Sequence, residues 1–557
     1  MIFTNHRMIV LFQLMCSLVG CHPYTSFSQY AQWFEKFGTN CNDNCYDFSI
    51  IGSERNILTI GDFSRQPSGT GMPCDSLPSL MIRKFDYNGN IIWSKYFHGT
   101  NFSGTSLATN NLKEIYISGW FTGTVQIGST TIETNTPYAN SNMFLLKCNS
   151  NGDFVWLKKQ GSDGTVIGSG PLIGKNSNVY VSCWYANTLF LEDKQFTRNN
   201  GKAYMMIEYD PTGAIVRNKA LSFEIGFMQN YDSKILCSGA LAKSDTLDQF
   251  YAVPSNTNRL FIALMDTALQ IPTPIFWATG YYRASITAIK VSRNNDIYVA
   301  GSFSDSLAID NYGTIYSSTD DNRFFLKIGQ DNRVKWVYVP DSSWVDGLPT
   351  YYVQGVSKAV AVDSFDNSYF CGSFNGILKF GDITLSQSVK GKDMTDVFVV
   401  GFNSIGKPIT AFKMGGPGED DCCNIEIADG RSILLAGTFA DSIAYPNGQC
   451  LGNGYRDGFI GSFAAPITEN RAANQGENGT RRFSCLFKNG HATIMAFGNE
   501  TLRDVTITNL TGRIVFHSRI EKKSYRMDLS SFAHGIYLIH VDGIENKPLL
   551  SLVLPYY

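Results

Sequence analysis

The chain has 557 residues, 43% hydrophobic and 17% charged, with 51 Gly and 18 Pro, a composition that folds rather than staying disordered. Lys and Arg number 46 against 48 Asp and Glu, giving a net charge of −2 with no long basic run, which argues against a nucleic-acid partner. The length suits about three or four ordinary domains, or one large repetitive architecture with an appendage.

The N-terminus reads as an export signal. His6 and Arg7 precede the apolar stretch 8–20, which is too short to span a bilayer. Small residues at Ser26 and Ser28 fit a cut before Gln29, so residues 1–28 form the expected signal peptide. A competing site, Leu18-Val19-Gly20-Cys21, resembles a lipobox and would place a lipid on Cys21. No later apolar run reaches the roughly 18 residues of a membrane span, so no transmembrane segment is expected.

From there a repeat takes over. A β-rich segment ending in a small residue and an apolar one recurs at 57–63, 115–121, 179–185, 235–241, 297–303, 369–374 and 433–439. Between Gly61, Gly119, Cys183, Gly239, Gly301, Gly372 and Gly437 the steps are 58, 64, 56, 62, 71 and 65 residues, room for about four short strands and their loops. A strand–turn–strand element follows each of the first six copies, at 80–93, 143–156, 204–217, 260–277, 324–336 and 397–410, with Asn, Asp or Gly at most of the turns. The seventh, 458–463, stops before its last strand, while 31–38 resembles 93–99 and has no preceding strands of its own. An N-terminal strand that completes the last repeat closes a ring and removes the open terminal edge. The expected fold is all-β: a seven-bladed β-propeller over residues 30–463, closed by the N-terminal strand. A β-solenoid or a set of small sandwiches is the alternative, and neither needs a displaced terminal strand.

The motifs resemble the seven-bladed β-propeller repeats called SBBP, whose units run niyvtG-x-F, then d-x-F-l-x-K-x-d-x-x-G, then W. The likeness is clearest from Ile115 to Phe121 with Phe144 to Trp156, and weakest in the fourth repeat, at Ala240-Leu241 and the long Met265-to-Trp277 connection. It implies the fold and hardly constrains activity.

Residues 464–482 are polar and read as a linker; 483–557 read as a small C-terminal antiparallel β-sandwich, with strand patterns at 492–497, 505–518, 525–532 and 535–541. This module resembles the C-terminal sorting domain of type IX secretion cargo, on Val505 to Val515 with Leu510 and Gly512, on Leu529, on Gly535-Ile536-Tyr537, and on Lys547. The P-N-P opening usual there is replaced by Phe487-Lys488-Asn489-Gly490. The resemblance implies partnership with the secretion machinery and an address outside a Gram-negative cell, secreted or on its outer surface. An ordinary accessory sandwich is the alternative.

Chemistry is sparse. The repeat region keeps one histidine, His98, so a site of several imidazoles cannot be assembled, and no H-E-x-x-H, G-x-S-x-G or P-loop motif is present. No metal or cofactor is expected. Asp86, Asp153, Asp210, Asp296, Asp331 and Asp366 read as turn residues that hydrogen-bond the backbone. The acidic stretch Glu419-Asp420-Asp421 lies in a connecting loop, as do Trp344, Tyr351 and Tyr352, a group suited to contact with sugar or peptide and equally suited to packing over a sheet edge. Asp-Ser/Thr-apolar triplets begin at Asp75, Asp245, Asp305 and Asp441 and resemble O-glycosylation sites.

Cysteine placement is more telling. Cys148, Cys183, Cys237 and Cys371 fall in expected strands and read as buried small hydrophobes. Cys41 and Cys45 before the first repeat, Cys422 and Cys423 before the seventh, and Cys74 and Cys450 in equivalent loops would gather beside the seam of a closed ring, with Cys74–Cys450 a candidate bridge. A metal-thiolate cluster is the rival. These features lead to a non-catalytic module binding a glycan or protein ligand through Trp344, Tyr351, Tyr352 and Glu419–Asp421. An extracellular carbohydrate-active hydrolase or lyase, and a structural filler of a surface assembly, remain as alternatives.

Overall fold

The computed structural model describes residues 31–464 except 66–78, 100, 136–140, 242–256, 271, 318–321, 344–359, 390–393 and 429–431. From 483 to 556 it describes all but 489–490, 497–501, 510–512, 529–534 and 543–547. The described residues are strands and turns without a helix, and every pairing between the assigned strands is antiparallel. The chain divides into two compact parts at Pro466/Ile467.

Three sheets of the first part have the same four-strand order. In the first repeat it is Asn42–Ile51, Asn56–Arg65, Ser79–Phe85 and Ile91–His98; in the sixth it is Val360–Val362, Ser368–Phe374, Asp396–Phe402 and Pro408–Met414. The seventh supplies Asp421–Ala428, Ser432–Phe439 and Asp457–Ala464, and its outermost strand is Ala31–Phe37 from the start of the chain. Trp33 lies opposite Ser462 and Phe37 opposite Gly458. The ring of Phe34 stacks on Tyr445 at 4.2 Å and on Phe459 at 5.4 Å.

The middle strands of each set are buried on both faces and the outer strand is not: Ser432–Phe439 is buried throughout, whereas Ile91–His98 is half-buried or exposed. A strand that is apolar on both faces needs a sheet on each side. Alternate side chains of the first repeat supply the two halves. Leu58, Ile60, Leu80 and Ile82 pack with Ile117 and Phe144 of the second repeat, while Ile57, Met81 and Phe85 pack with Leu434, Ala436 and Ile460 of the seventh.

The recurrent glycine has a steric cause. A Cβ on Gly61 would lie 1.8 Å from Asn44 O, and one on Gly437 would lie 2.0 Å from Asp421 O, so only glycine lets the innermost strand come this close. Beside that contact the innermost strand carries a β-bulge, at Cys45/Asp47, Gly104/Ser106, Ile286/Ala288 and Cys422/Asn424.

One departure from separate four-stranded sheets concerns the second to fifth repeats. The second and third share a nine-stranded sheet, and the fourth and fifth an eight-stranded one. The cause is strand length. Val179–Leu191 runs on past its repeat to pair Phe190 with Gly161, and Ile297–Ile309 does the same with Ala278 to Tyr281 of the 19-residue strand Thr273–Val291.

The second part holds two antiparallel sheets. One contains Phe483–Lys488, His491–Ala496 and Ser524–Asp528; the other contains Ile514–Lys522, Leu502–Asn509, Gly535–Asp542 and Pro548–Tyr556. Val505 and Ile507 are buried, and Phe516 stacks on Tyr525 at 6.5 Å.

Candidate functional site

The acidic stretch lies where the sixth, seventh and first repeats meet. A backbone bridge joins Thr395 to Glu419, and another joins Asn42 to Arg456; both are parallel, like the bridge Ser141 to Thr165 between the second and third repeats. In each, an amide donates across the boundary: Val166 N to Ser141 O at 3.0 Å, Asp420 N to Thr395 O at 2.9 Å, and Asp43 N to Arg456 O at 3.0 Å, with Arg456 N returning to Cys41 O at 3.5 Å. These bonds fix the directions of the three acidic side chains.

Glu419 and Asp421 point outward and share one cation. Arg456 Nη2 lies 3.1 Å from Glu419 Oε2 and 3.0 Å from Asp421 Oδ2, and Ser373 Oγ donates to Asp421 Oδ1 at 2.8 Å. Asp420 turns inward and is fully buried. Its Oδ2 accepts Gly416 N at 2.7 Å, and its Oδ1 has no partner. Burial pushes its carboxyl up to about 8, with the nearby charges of Asp396 and Asp421 adding to the rise. Near Asp43 of the first repeat, Asp457 is likewise buried with one oxygen unpartnered, and desolvation raises its carboxyl too.

Asp47, on the innermost strand of the first repeat, ties three repeats together. Its Oδ2 accepts Ser106 Oγ at 3.1 Å and Leu107 N at 2.9 Å from the second repeat; its Oδ1 accepts Asn424 Nδ2 at 2.9 Å from the seventh. Sequence reading passed over it, because nothing local separates Asp47 from a turn residue.

The aromatic part of the expected site, Trp344, Tyr351 and Tyr352, lies outside the described residues, as do Cys74, Leu510, Gly512, Leu529 and Lys547. Gly535 and Tyr537 lie on the strand Gly535–Asp542, with Tyr537 opposite Asn509.

The cysteines pair differently from the expectation. Cys371 is not a passive core residue: it forms a disulfide with Cys422, joining the sixth repeat to the seventh. The same position elsewhere carries serines that hydrogen-bond forward, Ser118 Oγ to Ser169 O and Ser182 Oγ to Ile225 O, so the disulfide replaces a recurrent polar contact. Cys450 has a free thiol on the short hairpin strand Gly448–Leu451, while its expected partner Cys74 lies outside the described residues. Cys41 is disulfide-bonded, and Cys45 and Cys423 are free and buried.

Two of the turn aspartates do other work. Lys327 pairs with Asp296 at 2.8 Å and with Asp366, beneath the ring of Tyr298, and Lys147 with Glu114 and Tyr116 is its counterpart in the second repeat. The signal was the Lys of the F-L-x-K segment. Asp86 and Asp210 do cap their turns, accepting amides two and four residues on. The triplets at Asp305 and Asp441 follow from geometry: both aspartates adopt positive φ (63° and 59°) where Gly123 and Gly376 stand in other repeats, and the third residue, Leu307 or Ile443, is buried. His98 meets Ser79 Oγ through Nδ1 at 2.7 Å. Among the described residues no group of three or more His, Cys, Asp or Glu is placed to hold a metal ion, and no helix is long and apolar enough to cross a membrane.

Residues 488–553 match the family described as a secretion system C-terminal sorting domain. The module therefore marks the chain as type IX secretion cargo, exported to the cell surface or the extracellular space through that machinery. No curated protein sequence matches the chain. Among solved structures, BamB from Moraxella catarrhalis is 10% identical with a TM-score of 0.32, covering 79% of this chain and 98% of its own. The phage phi92 endosialidase is 9% identical with a TM-score of 0.38, covering 95% and 87%. A protein of unknown function from Bacteroides caccae is 10% identical with a TM-score of 0.31, covering 60% and 89%.

Proposed function

We propose that residues 30–463 form a closed seven-bladed β-propeller that the sorting domain delivers to the cell exterior, where it acts as a non-catalytic module binding a glycan or a protein. The observation that carries the closed ring is the seam. Trp33 Nε1 donates to Tyr87 O at 3.0 Å and its ring covers Gly89, just as Trp156 donates to Pro211 O and covers Gly213, and Trp336 donates to Ser404 O and covers Gly406. The first and last repeats are thus joined by the clamp that joins sequence neighbours.

The binding face is built on Glu419, Asp421 and Arg456, with Trp344, Tyr351 and Tyr352 as its aromatic contribution. A row of charge fixed on a rigid scaffold suits recognition. A hydrolase would need a proton-holding carboxyl that reaches substrate, and the two carboxyls with raised proton affinity among the described residues, Asp420 and Asp457, are both buried. The test is a glycan and surface-protein array probed with the purified chain, beside turnover assays on the same glycans. Saturable binding that Arg456→Ala and Trp344→Ala weaken supports the reading; turnover with no retained binding overturns it.

A further inference from the structure

The innermost strands of the first and seventh repeats bring two free thiols together across the seam. Cys45, on Asn42–Ile51, and Cys423, on Asp421–Ala428, are 2% and 7% exposed and share one core with Phe48, Leu434 and Ile460. Cys423 is the extra residue of the bulge between Cys422 and Asn424, and the Cys45 thiol, packed in the same core, is among the groups that raise its thiol. The flanking backbone is pinned on both sides: Cys45 N donates to Thr438 Oγ1 at 3.2 Å, and Asn424 Nδ2 donates to Phe48 O at 2.9 Å. Cys45 occupies the place that Cys422 holds in its own repeat, each lying opposite the recurrent glycine, Gly61 or Gly437. Cys422 reaches back to the sixth repeat through a disulfide; Cys45 reaches back to the seventh by packing in one core with Cys423.

We propose that Cys45 and Cys423 are a second disulfide site, and that in the exported protein they are joined, tying the first repeat covalently to the last. The bond forms as the two sulfurs each lose a proton and together give up two electrons to an external disulfide, carried by a thiol oxidant, which is reduced to two thiols. The order of events follows from burial. Once the seam is packed no oxidant reaches either sulfur, and burial raises the Cys423 thiol so that thiolate is scarce. The bond therefore forms while the chain folds outside the cytoplasm, before the first and seventh repeats close on each other. This inference rests on the export reading, and Cys371–Cys422 serves as its internal control.

The test is peptide mapping of the full chain recovered from the medium or cell surface, alkylated under denaturing conditions without reductant. The expected result is that the Cys45 and Cys423 peptides are recovered as one species, two hydrogens lighter than the sum of the reduced peptides, and that Cys148, Cys183 and Cys237 are fully alkylated. Alkylation of both Cys45 and Cys423 with Cys371–Cys422 still linked overturns the proposal and leaves the export reading standing. Alkylation of all four overturns the proposal together with the Cys371–Cys422 bond.

Discussion

Two neighbouring boundaries of the repeat region are held by different chemistry. Between the sixth and seventh repeats the chain is continuous, and a disulfide closes a separation of only 51 residues. Between the seventh and the first the chain is not continuous, and the described contacts are non-covalent: the strand Ala31–Phe37 on Asp457–Ala464, the Trp33 clamp, the Asp47–Asn424 bond and the apolar layer around Ile460. The described contact between the first and last repeats therefore rests on packing and register rather than on the Cys371–Cys422 bond.

Each way of perturbing the two boundaries separates them. Deleting residues 31–37 removes a whole strand from the seam and leaves Asp457–Ala464 as an open edge; the expected result is loss of the cooperative thermal transition and aggregation in size-exclusion chromatography. Trp33→Ala should lower stability by about 3 kcal/mol, and Trp156→Ala by a similar amount, because the two clamps share one geometry. Denaturant titration of the pair checks this, and a much smaller loss for Trp33→Ala would mean that the seam is not an ordinary boundary. Replacing both Cys371 and Cys422 by Ala should cost about 2–4 kcal/mol while amide exchange in Ala31–Phe37 stays unchanged. Asp47→Ala, which strands donors from the second and seventh repeats, should cost about 1.5–3 kcal/mol, read in the same titration.

A further effect concerns pH. Asp420 holds its proton more tightly folded, at about 8, than unfolded, at 3.8. Its contribution is complete below about pH 4 and is lost as pH rises toward 8, because the folded state must then carry a buried charge or release it. Asp420→Asn, which keeps the neutral form, should match the wild type near pH 4 and exceed it in melting temperature near pH 8.5. Equal melting temperatures at both pH values would contradict the buried, neutral carboxyl.

Much of this was legible in the sequence because it is local or repeated. The glycine at six of the seven second strands, the Asp- and Asn-led turns and the orphan strand around Trp33 each leave a pattern, and the Phe37-to-Gly458 pairing follows from the last of these. What escaped was set by partners distant in the chain. Cys371 has the flanks of a core residue and is distinguished only by facing Cys422. Asp420 differs from Glu419 and Asp421 by the direction that one backbone bridge gives it. The long strands that merge the second repeat with the third and the fourth with the fifth depend on pairings such as Phe190 with Gly161, which no local signal announces. The functional match at 488–553 was legible because the sorting module carries its own motif.

The most direct test of ring closure is native-state amide hydrogen exchange of the intact chain, read at residues 31–37 and at the outermost strands Ile91–His98 and Pro408–Met414. Closure predicts that the amides of the Trp33 strand exchange as slowly as those of the other two. Exchange there at the rate of an unstructured peptide, with the other two strands protected, would contradict it.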